Sequence, residues 1–232
     1  GYSQKEYSGG STRYIYMAIR RSNKPPEAGT DVFDIKTSSD DGGNGTLTSN
    51  TVLADVVWSK GLSSGTLGIA LSRLTGQRLL EINSTGAESA ASWYTMDQQT
   101  GFLHTGYWAS TSIVDYTFKR APGFFDVVAW TGQSNTANHN VNHNLGVAPE
   151  LMFIKRRSAL KNWYGYSSVT GTGKVLYLDT SLPAQTDSSF IATTPTSTVI
   201  PLNSYYQIDN QGDTYIAYLF ATLPGISKVG SY

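Results

Sequence analysis

The chain has 232 residues with 17 basic and 17 acidic side chains, so it has no net charge at neutral pH. Non-specific nucleic-acid binding depends on neutralising phosphates, and a chain without a basic excess is not expected to bind nucleic acid. The absence of cysteine excludes disulfides and thiolate zinc sites. No apolar run reaches the ~20 residues of a membrane span, and we expect neither membrane insertion nor a cofactor.

Short β-rich runs with period-2 alternation follow one another along the chain, and Gly, Ser, Asn and Asp separate them. The glycine-rich stretches 40–46 and 170–173 are interpreted as loops or hairpin tips. No capped amphipathic helix is found, so the pattern predicts an all-β fold of antiparallel β-sandwich modules with few or no helices. The predicted strands are 13–20, 31–36, 54–59, 78–83, 112–119, 124–131, 150–156, 174–179, 197–202 and 214–221.

The second half of the chain repeats the first. The segment DYTFKRAPGFF at 115–125 matches AYLFATLPGIS at 217–227, with both Pro-Gly pairs in register. Two upstream matches follow in the same order, one around Trp58 and Phe153 and one around 79–84 and 175–180. A period near 100 residues predicts tandem β-sandwich modules of that size, at 29–122 and 123–232.

The beginning of the chain contains part of a third copy. Residues 14–21 (YIYMAIRR) resemble 113–120 (IVDYTFKR), and a proline follows each segment. We interpret residues 1–28 as the C-terminal part of a preceding module, which makes the chain a segment of a longer array.

Three motifs are similar to catalytic or ion-binding loops, but each lacks a required part. GLSSG at 61–65 fits the G-x-S-x-G nucleophile elbow, yet no helical pattern follows it and the second copy lacks it. TGTGK at 170–174 lacks the first glycine of a phosphate loop and leads into a strand. DDGGNG at 40–45 lacks two oxygen ligands of a calcium loop, although a looser calcium site built from several loops stays an alternative. No catalytic residue is predicted; paired carboxylates for glycoside hydrolysis stay open, because their separation is spatial.

His139 and His143 lie in a segment with Asn at every second position. In a strand the two histidines are roughly 13 Å apart, too far to share a metal. A metal site would need other chains, for example three copies of His143 around a trimer axis. The simpler interpretation is a set of hydrogen-bonding residues at a strand edge, and no metal site is predicted. The basic clusters Arg20–Arg21 and 155–157 are expected to be solvated.

Aromatic doublets offer the best candidate binding residues. Adjacent residues of a strand point to opposite faces, so one ring of a doublet can be exposed to a sugar or a protein partner. Trp163 is expected to belong to the fold. The candidate receptor- or glycan-binding residues are Tyr205, Tyr206, Tyr107 and Trp108. The first two lie where the second copy gains about five residues, and inserted loops often carry recognition.

The second copy resembles a repeated β-rich module of bacteriophage tail fibre and tail appendage proteins, common in marine and cyanobacterial phages. The residues that carry the resemblance are FDVVAWTG at 125–132, HNLGVAPELMFIKRR at 143–157, Trp163, GDTYIAYLFA at 212–221 and PGISKVGSY at 224–232. The first copy matches more loosely, through ADVVW at 54–58 and the segment 115–126.

The resemblance implies a non-enzymatic virion structural protein, a tail fibre or appendage segment that contributes to host attachment. It further implies a homo-oligomer, with a trimer favoured, contacts with other virion proteins, and an extracellular location on the virion. A host cell-surface glycan or protein is the expected receptor. The alternatives are a carbohydrate-binding host-recognition tip, a capsid decoration or head fibre, and a polysaccharide depolymerase.

Overall fold

The computed structural model describes residues 24–39, 46–49, 52–63, 66–96, 101–104, 112–133, 139–203 and 205–231. The predicted all-β sandwich class is confirmed, because the strands are all antiparallel and the described residues hold one helix of four residues. The strands are β1 (Phe33–Ser39), β2 (Thr46–Ser49), β3 (Val56–Gly61), β4 (Gly68–Ser72), β5 (Arg78–Glu81), β6 (Ser89–Ala90), β7 (Tyr94–Thr95), β8 (Gly101–His104), β9 (Ser112–Phe118), β10 (Phe125–Thr131), β11 (Asn140–Asn142), β12 (Leu151–Arg156), β13 (Trp163–Ser167), β14 (Lys174–Tyr177), β15 (Gln185–Thr186), β16 (Val199–Pro201) and β17 (Thr214–Phe220). A 3-10 turn (Gly29–Asp31) precedes β1, and the helix α1 (Tyr206–Asp209) precedes β17.

Two six-stranded sheets form the centre of the molecule. The first sheet has the order β1-β9-β3-β4-β5-β6, and the second has the order β10-β17-β12-β13-β14-β15. All strands of the first sheet lie within residues 33–118, which we call the first unit, and those of the second lie within 125–220, the second unit. The predicted module boundaries at 28 and 122 lie outside the strands of both sheets.

The strand registers of the two sheets are equivalent. Trp58 lies opposite Tyr116 in the first sheet, and Phe153 lies opposite Tyr218 in the second. Gly68 lies opposite Lys60 on β4, and Trp163 lies opposite Lys155 on β13. These pairings place Gly68 and Trp163 at the same position of two similar sheets.

Each large sheet is covered on one face by elements of its own unit. In the first unit the three-stranded sheet β2-β8-β7 lies over this face, and Phe102 and Tyr94 pack against Ile69 and Leu71. In the second unit the pair β11-β16 and the segment around Phe190 cover the equivalent face. Apolar burial on this face stabilises each unit separately.

The opposite faces of the two large sheets pack against each other. Their shared core contains Val56, Ala70 and Leu80 of the first unit together with Trp163 and Ile216 of the second. The ring of Trp58 lies 5.5 Å from Tyr218, 6.0 Å from Phe153 and 6.0 Å from Phe220, centroid to centroid, in edge-to-face or tilted geometry. Such aromatic contacts are favourable beyond the area they bury. The molecule is therefore a stack of four layers, with the two small sheets outside.

Polar groups at the edge of the shared core fix how the two units meet. The Lys155 ammonium is fully buried and donates to the carbonyls of Thr85 (3.1 Å), Arg156 (3.3 Å) and Lys161 (2.7 Å). Arg157 forms a bidentate ion pair with Glu88, in which Nε and Nη2 donate to the two carboxylate oxygens at 2.8 and 2.9 Å. The expectation that 155–157 is solvated is wrong, because the loop after β5 in the first unit lies over this strand.

A short turn joins the two units and is hydrogen-bonded to both. Arg120 donates its amide to the Asp55 carboxylate (2.8 Å), and its guanidinium pairs with Asp126 (2.5 Å). The Gly123 amide donates to the Leu145 carbonyl (2.7 Å). Gly123 has φ +75°, a value that the third position of a Pro-Gly type II turn requires and that favours glycine. The connection is held on both sides, which excludes a free hinge in this segment.

Candidate functional site

The predicted binding residues Tyr205 and Tyr206 lie between β16 and β17 in the second unit. The other two predicted residues, Tyr107 and Trp108, lie outside the described residues. Tyr205 caps the helix α1 from an extended conformation, and Tyr206 is its first residue. The helix is held on its buried side, since Ile208 and Asp209 are buried and the Trp130 indole donates to the Ile208 carbonyl at 3.1 Å.

The Tyr205 side chain is buried and supports its neighbour. Its hydroxyl donates to the Asp187 carboxylate at 2.6 Å, and its ring packs edge-on against Phe190 at 5.9 Å. Burial and the hydrogen bond to Asp187 both raise the pKa of Tyr205, so the hydroxyl stays protonated. Tyr205 is thus a positioning residue for the helix start rather than an exposed contact.

Tyr206 presents its ring to solvent. The residue is 57% exposed, and its ring lies edge-to-face on Tyr205 with centroids 5.9 Å apart. Tyr205 is itself held by Asp187 and Phe190, so the Tyr206 ring rests on a fixed support. An exposed aromatic ring on a rigid base is suited to stacking against a flat apolar face of a ligand.

A row of aromatic rings continues from Tyr205 into the second sheet. Phe190 contacts Tyr164 at 6.1 Å, and Tyr164 contacts Tyr177 at 5.7 Å. The Tyr164 hydroxyl donates to the Gln207 side chain of α1 at 3.1 Å. We call Tyr206, Gln207 and Tyr177, with their supports Tyr205 and Tyr164, the tyrosine surface. It offers one exposed ring with an amide, hydroxyl groups and the Asp187 carboxylate nearby, a set that can stack on a sugar and hydrogen-bond its hydroxyls.

The two histidines have separate partners. The His143 Nε2 donates to the Thr196 carbonyl (3.1 Å), and its Nδ1 accepts from the Leu145 amide (3.2 Å). Both ring nitrogens are therefore used within the chain, and burial lowers the pKa of His143. His143 is 4% exposed, which argues against three copies meeting around an axis.

His139 instead pairs with the buried Asp209 at the base of α1. Its Nδ1 lies 2.6 Å from the Asp209 carboxylate, which also accepts the Gln133 amide at 3.0 Å. Sequence reasoning missed this pair, because 70 residues separate its members and neither belongs to a recognised motif. Nowhere in the described ranges do three or more His, Asp or Glu side chains come together as metal ligands.

The three loop motifs can be placed as far as the structure describes them. After Ser63 the chain enters strand β4, and residues 64–65 lie outside the described part. The stretch 170–173 forms the predicted hairpin tip between β13 and β14, with φ +80° at Gly171 and +68° at Gly173. The calcium-like loop 40–45 lies outside the described residues. Within the described residues no helix is long and apolar enough to cross a membrane.

The fold and this surface define a layered all-β protein with an exposed tyrosine on a rigid support. A family model described as a domain of unknown function (DUF7483) matches residues 111–232, just over half of the chain. The chain therefore belongs to this family. The match begins immediately before β9 and includes the whole second sheet. Neither the curated proteins nor the solved structures contain a match to the chain.

Proposed function

We propose that this chain is a non-enzymatic structural segment of a bacteriophage virion, part of a tail fibre or appendage that contributes to host attachment. The observation that supports it most is the joining of two equivalent six-stranded sheets through one shared core. Repetition of one unit along a chain extends a particle or multiplies its contacts. The resemblance of the second copy to phage tail and fibre modules supports the assignment of this two-unit arrangement to a phage virion.

The contacts between the units favour a structural role in which the joint resists bending. The shared core is aromatic, and the buried Lys155, the Arg157–Glu88 pair and the Trp163–Glu81 hydrogen bond (2.8 Å) surround it. Two domains that move independently are usually joined by smaller and more polar interfaces. A rigid joint suits a fibre segment that must keep its direction outside the cell, on the virion.

Immunogold electron microscopy tests the proposal directly. An antiserum against the purified chain is applied to phage particles whose genome encodes it, with pre-immune serum as the control. Label on the tail or its appendages is the expected result. Label on the capsid would instead identify a decoration protein or head fibre. Particles without label, together with antigen in uninfected cells, would contradict a virion role.

The expected homo-oligomer is tested by the mass of the native protein. Sedimentation at several concentrations gives the stoichiometry, and a trimer is the favoured result.

Incubation with host capsule addresses the depolymerase alternative. Release of oligosaccharide by the purified chain would contradict the non-enzymatic assignment.

The tyrosine surface favours a second candidate function, binding of a host cell-surface glycan. The 57% exposure of Tyr206 and its fixed support are the observations that carry it. Binding of host lipopolysaccharide is measured for the wild type and for Tyr206→Ala. We expect the variant to bind about tenfold more weakly, since an aromatic contact contributes roughly 0.5–1.5 kcal/mol beyond its buried area.

Leu160→Ala is the control for this experiment, because Leu160 is 71% exposed and is not part of the tyrosine surface. It should leave glycan binding unchanged. Equal affinity of the wild type and Tyr206→Ala would exclude the tyrosine surface as the binding site, and no binding of the wild type at millimolar sugar would count against the glycan candidate altogether.

A further inference from the structure

The face of the first sheet that packs on the second is only partly covered. In register across β1, β9 and β3 lie Ile35, Tyr116 and Trp58. Ile35 is 50% exposed and Tyr116 is 36% exposed, whereas Trp58 extends into the shared core. We call Ile35, Tyr116 and the adjoining Ile82 the open strip. It is an apolar surface continuous with an interface that the molecule already uses.

The equivalent row of the second sheet is covered. Val127, Tyr218 and Phe153 occupy the positions of Ile35, Tyr116 and Trp58. Val127 and Tyr218 are each 1% exposed; both belong to the shared core, in which Tyr218 packs against Trp58 of the first unit. The two equivalent rows are both apolar, and the row of the second sheet is covered at the two positions where the row of the first sheet is exposed.

A cavity of about 270 Å³ lies beside the open strip. It is lined by Trp58, Ser59, Lys60, Gly68, Ile82, Asn83 and Tyr116. At the position of Gly68 the second sheet carries Trp163, whose fully buried indole packs 5.9 Å from Tyr218 and donates to the Glu81 carbonyl of the first unit. The first sheet therefore has an open cavity where the second has a tryptophan ring.

We infer that a second copy of this chain packs against the open strip and places an apolar side chain in the cavity beside Gly68. The second sheet supplies the precedent, since the same face of a similar sheet is buried there by a unit of this same chain. Trp58 belongs to the shared core and lies next to Tyr116 of the strip, so the new interface is continuous with that core. The inference rests on the proposed function, because it names the surface through which copies of an appendage protein associate.

A free apolar ligand is a weaker explanation than a protein face. The cavity opens onto the exposed Ile35–Tyr116 row, so an occupant of the cavity alone leaves that row in water. A second copy covers both, and burial of contiguous apolar surface is the usual driving force for self-association.

Gly68→Trp provides a direct test, because it fills the cavity from within as Trp163 does in the second sheet. The nearest atoms to a Cβ at Gly68 are Ile82 Cβ at 3.6 Å and Lys60 Cδ at 3.7 Å, which are ordinary contacts. Sedimentation equilibrium of the full chain compares the wild type with this variant. We expect the wild type to self-associate and Gly68→Trp to do so at least tenfold more weakly, with no loss of thermal stability.

Ile35→Lys is a second variant that tests the strip without touching the cavity. It places a charge on an exposed position, so folding is preserved while the new interface is opposed. Leu160→Lys is its control, since Leu160 is 71% exposed and lies outside the strip. We expect Ile35→Lys to dissociate the assembly and Leu160→Lys to leave it unchanged.

The outcomes separate this inference from the virion proposal. An assembly that both strip variants leave intact would overturn the inference, while labelling of virions would still test the function. A monomeric wild type with Tyr116 accessible to nitration would also overturn it. A monomer in which Tyr116 resists nitration would show that another part of the same chain covers the strip, which equally excludes a second copy.

Discussion

Single residues account for the difference between the two units of this protein. Trp163 and Gly68 occupy the same sheet position, yet one side chain fills the space between the units and the other leaves it open. Ser59 and Asp115, which hydrogen-bond to each other, likewise replace Ile154 and Ala217 of the second unit. The backbone pairings are kept while the side chains differ, so the properties specific to each unit depend on these positions.

Trp163→Ala should cost about 3–5 kcal/mol of unfolding free energy. The substitution removes a fully buried ring and leaves a cavity in the shared core. It also leaves the Glu81 carbonyl without its indole donor. Urea denaturation followed by circular dichroism measures the change. Tyr206→Ala, at an exposed position, is the control and should shift the free energy by less than about 0.5 kcal/mol.

His143 should make the protein less stable in mild acid. Burial lowers the pKa of this imidazole from its usual 6.5. Just below pH 6.5 the unfolded chain therefore binds a proton at this residue that the folded chain does not bind. The contribution to stability is therefore present above pH 6.5 and is lost as the pH falls below it. Denaturation midpoints at pH 7.5 and 5.5 are compared for the wild type and His143→Gln. A variant with the same pH dependence as the wild type would contradict this role.

At the scale of elements, β12 depends on a loop from the other unit. The buried Lys155 ammonium donates hydrogen bonds to the Thr85 carbonyl of the first unit and to the Lys161 carbonyl of its own unit. Lys155→Met leaves these carbonyls without a donor, and we expect a loss of about 1–3 kcal/mol. The equivalent lysine of the first sheet is exposed, so Lys60→Met is a matched control that should change stability little.

Lys155 also predicts an effect of pH on stability, of the same sign as that of His143 but in the alkaline range. Burial lowers its pKa to about 8 from 10.5, although Asp179 partly opposes this. Between these two values the folded chain releases a proton that the unfolded chain keeps, so this group adds stability as the pH rises from 8 to 10.5. The difference in unfolding free energy between the wild type and Lys155→Met should grow over that interval. A difference that stays constant would show that the ammonium keeps its proton.

Alternation of buried and more exposed residues makes some strands predictable, and β9 lies within the predicted range 112–119 for this reason. Strand β17 also lies within its predicted range 214–221, although its five central residues are all buried. Strands β4 and β13 were missed, and every residue in both is buried. Such strands lack the alternation that identifies a strand, because no position faces water.

The candidate site was predictable only in part. Tyr206 was found because it lies in a segment that the second copy gained, but the sequence does not distinguish it from the buried Tyr205. That distinction depends on Asp187 and Phe190, which contact Tyr205 from another loop. The burial of Lys155 was likewise hidden, since its partner Thr85 lies 70 residues upstream.

At the scale of the whole molecule, the shared core should make the two units unfold together. A core that contains Val56 and Leu80 of one unit and Ile216 of the other cannot open on one side alone without exposing both. We expect a single denaturant transition in which fluorescence and circular dichroism coincide. Native-state hydrogen exchange gives an independent measurement, since the amides of β3 and β12 should open with equal free energies. Two transitions, or loss of protection in the first unit alone, would show that the units are independent.

The turn at Arg120–Gly123 has a mechanical consequence. Because hydrogen bonds tie it to Asp55 on one side and to Leu145 on the other, a bending moment applied to one unit passes to the next without relaxing at the connection. Bending then has to compress or stretch the aromatic layer around Trp58. The resistance of this pair of units to bending is consequently set by that layer and not by the connecting turn.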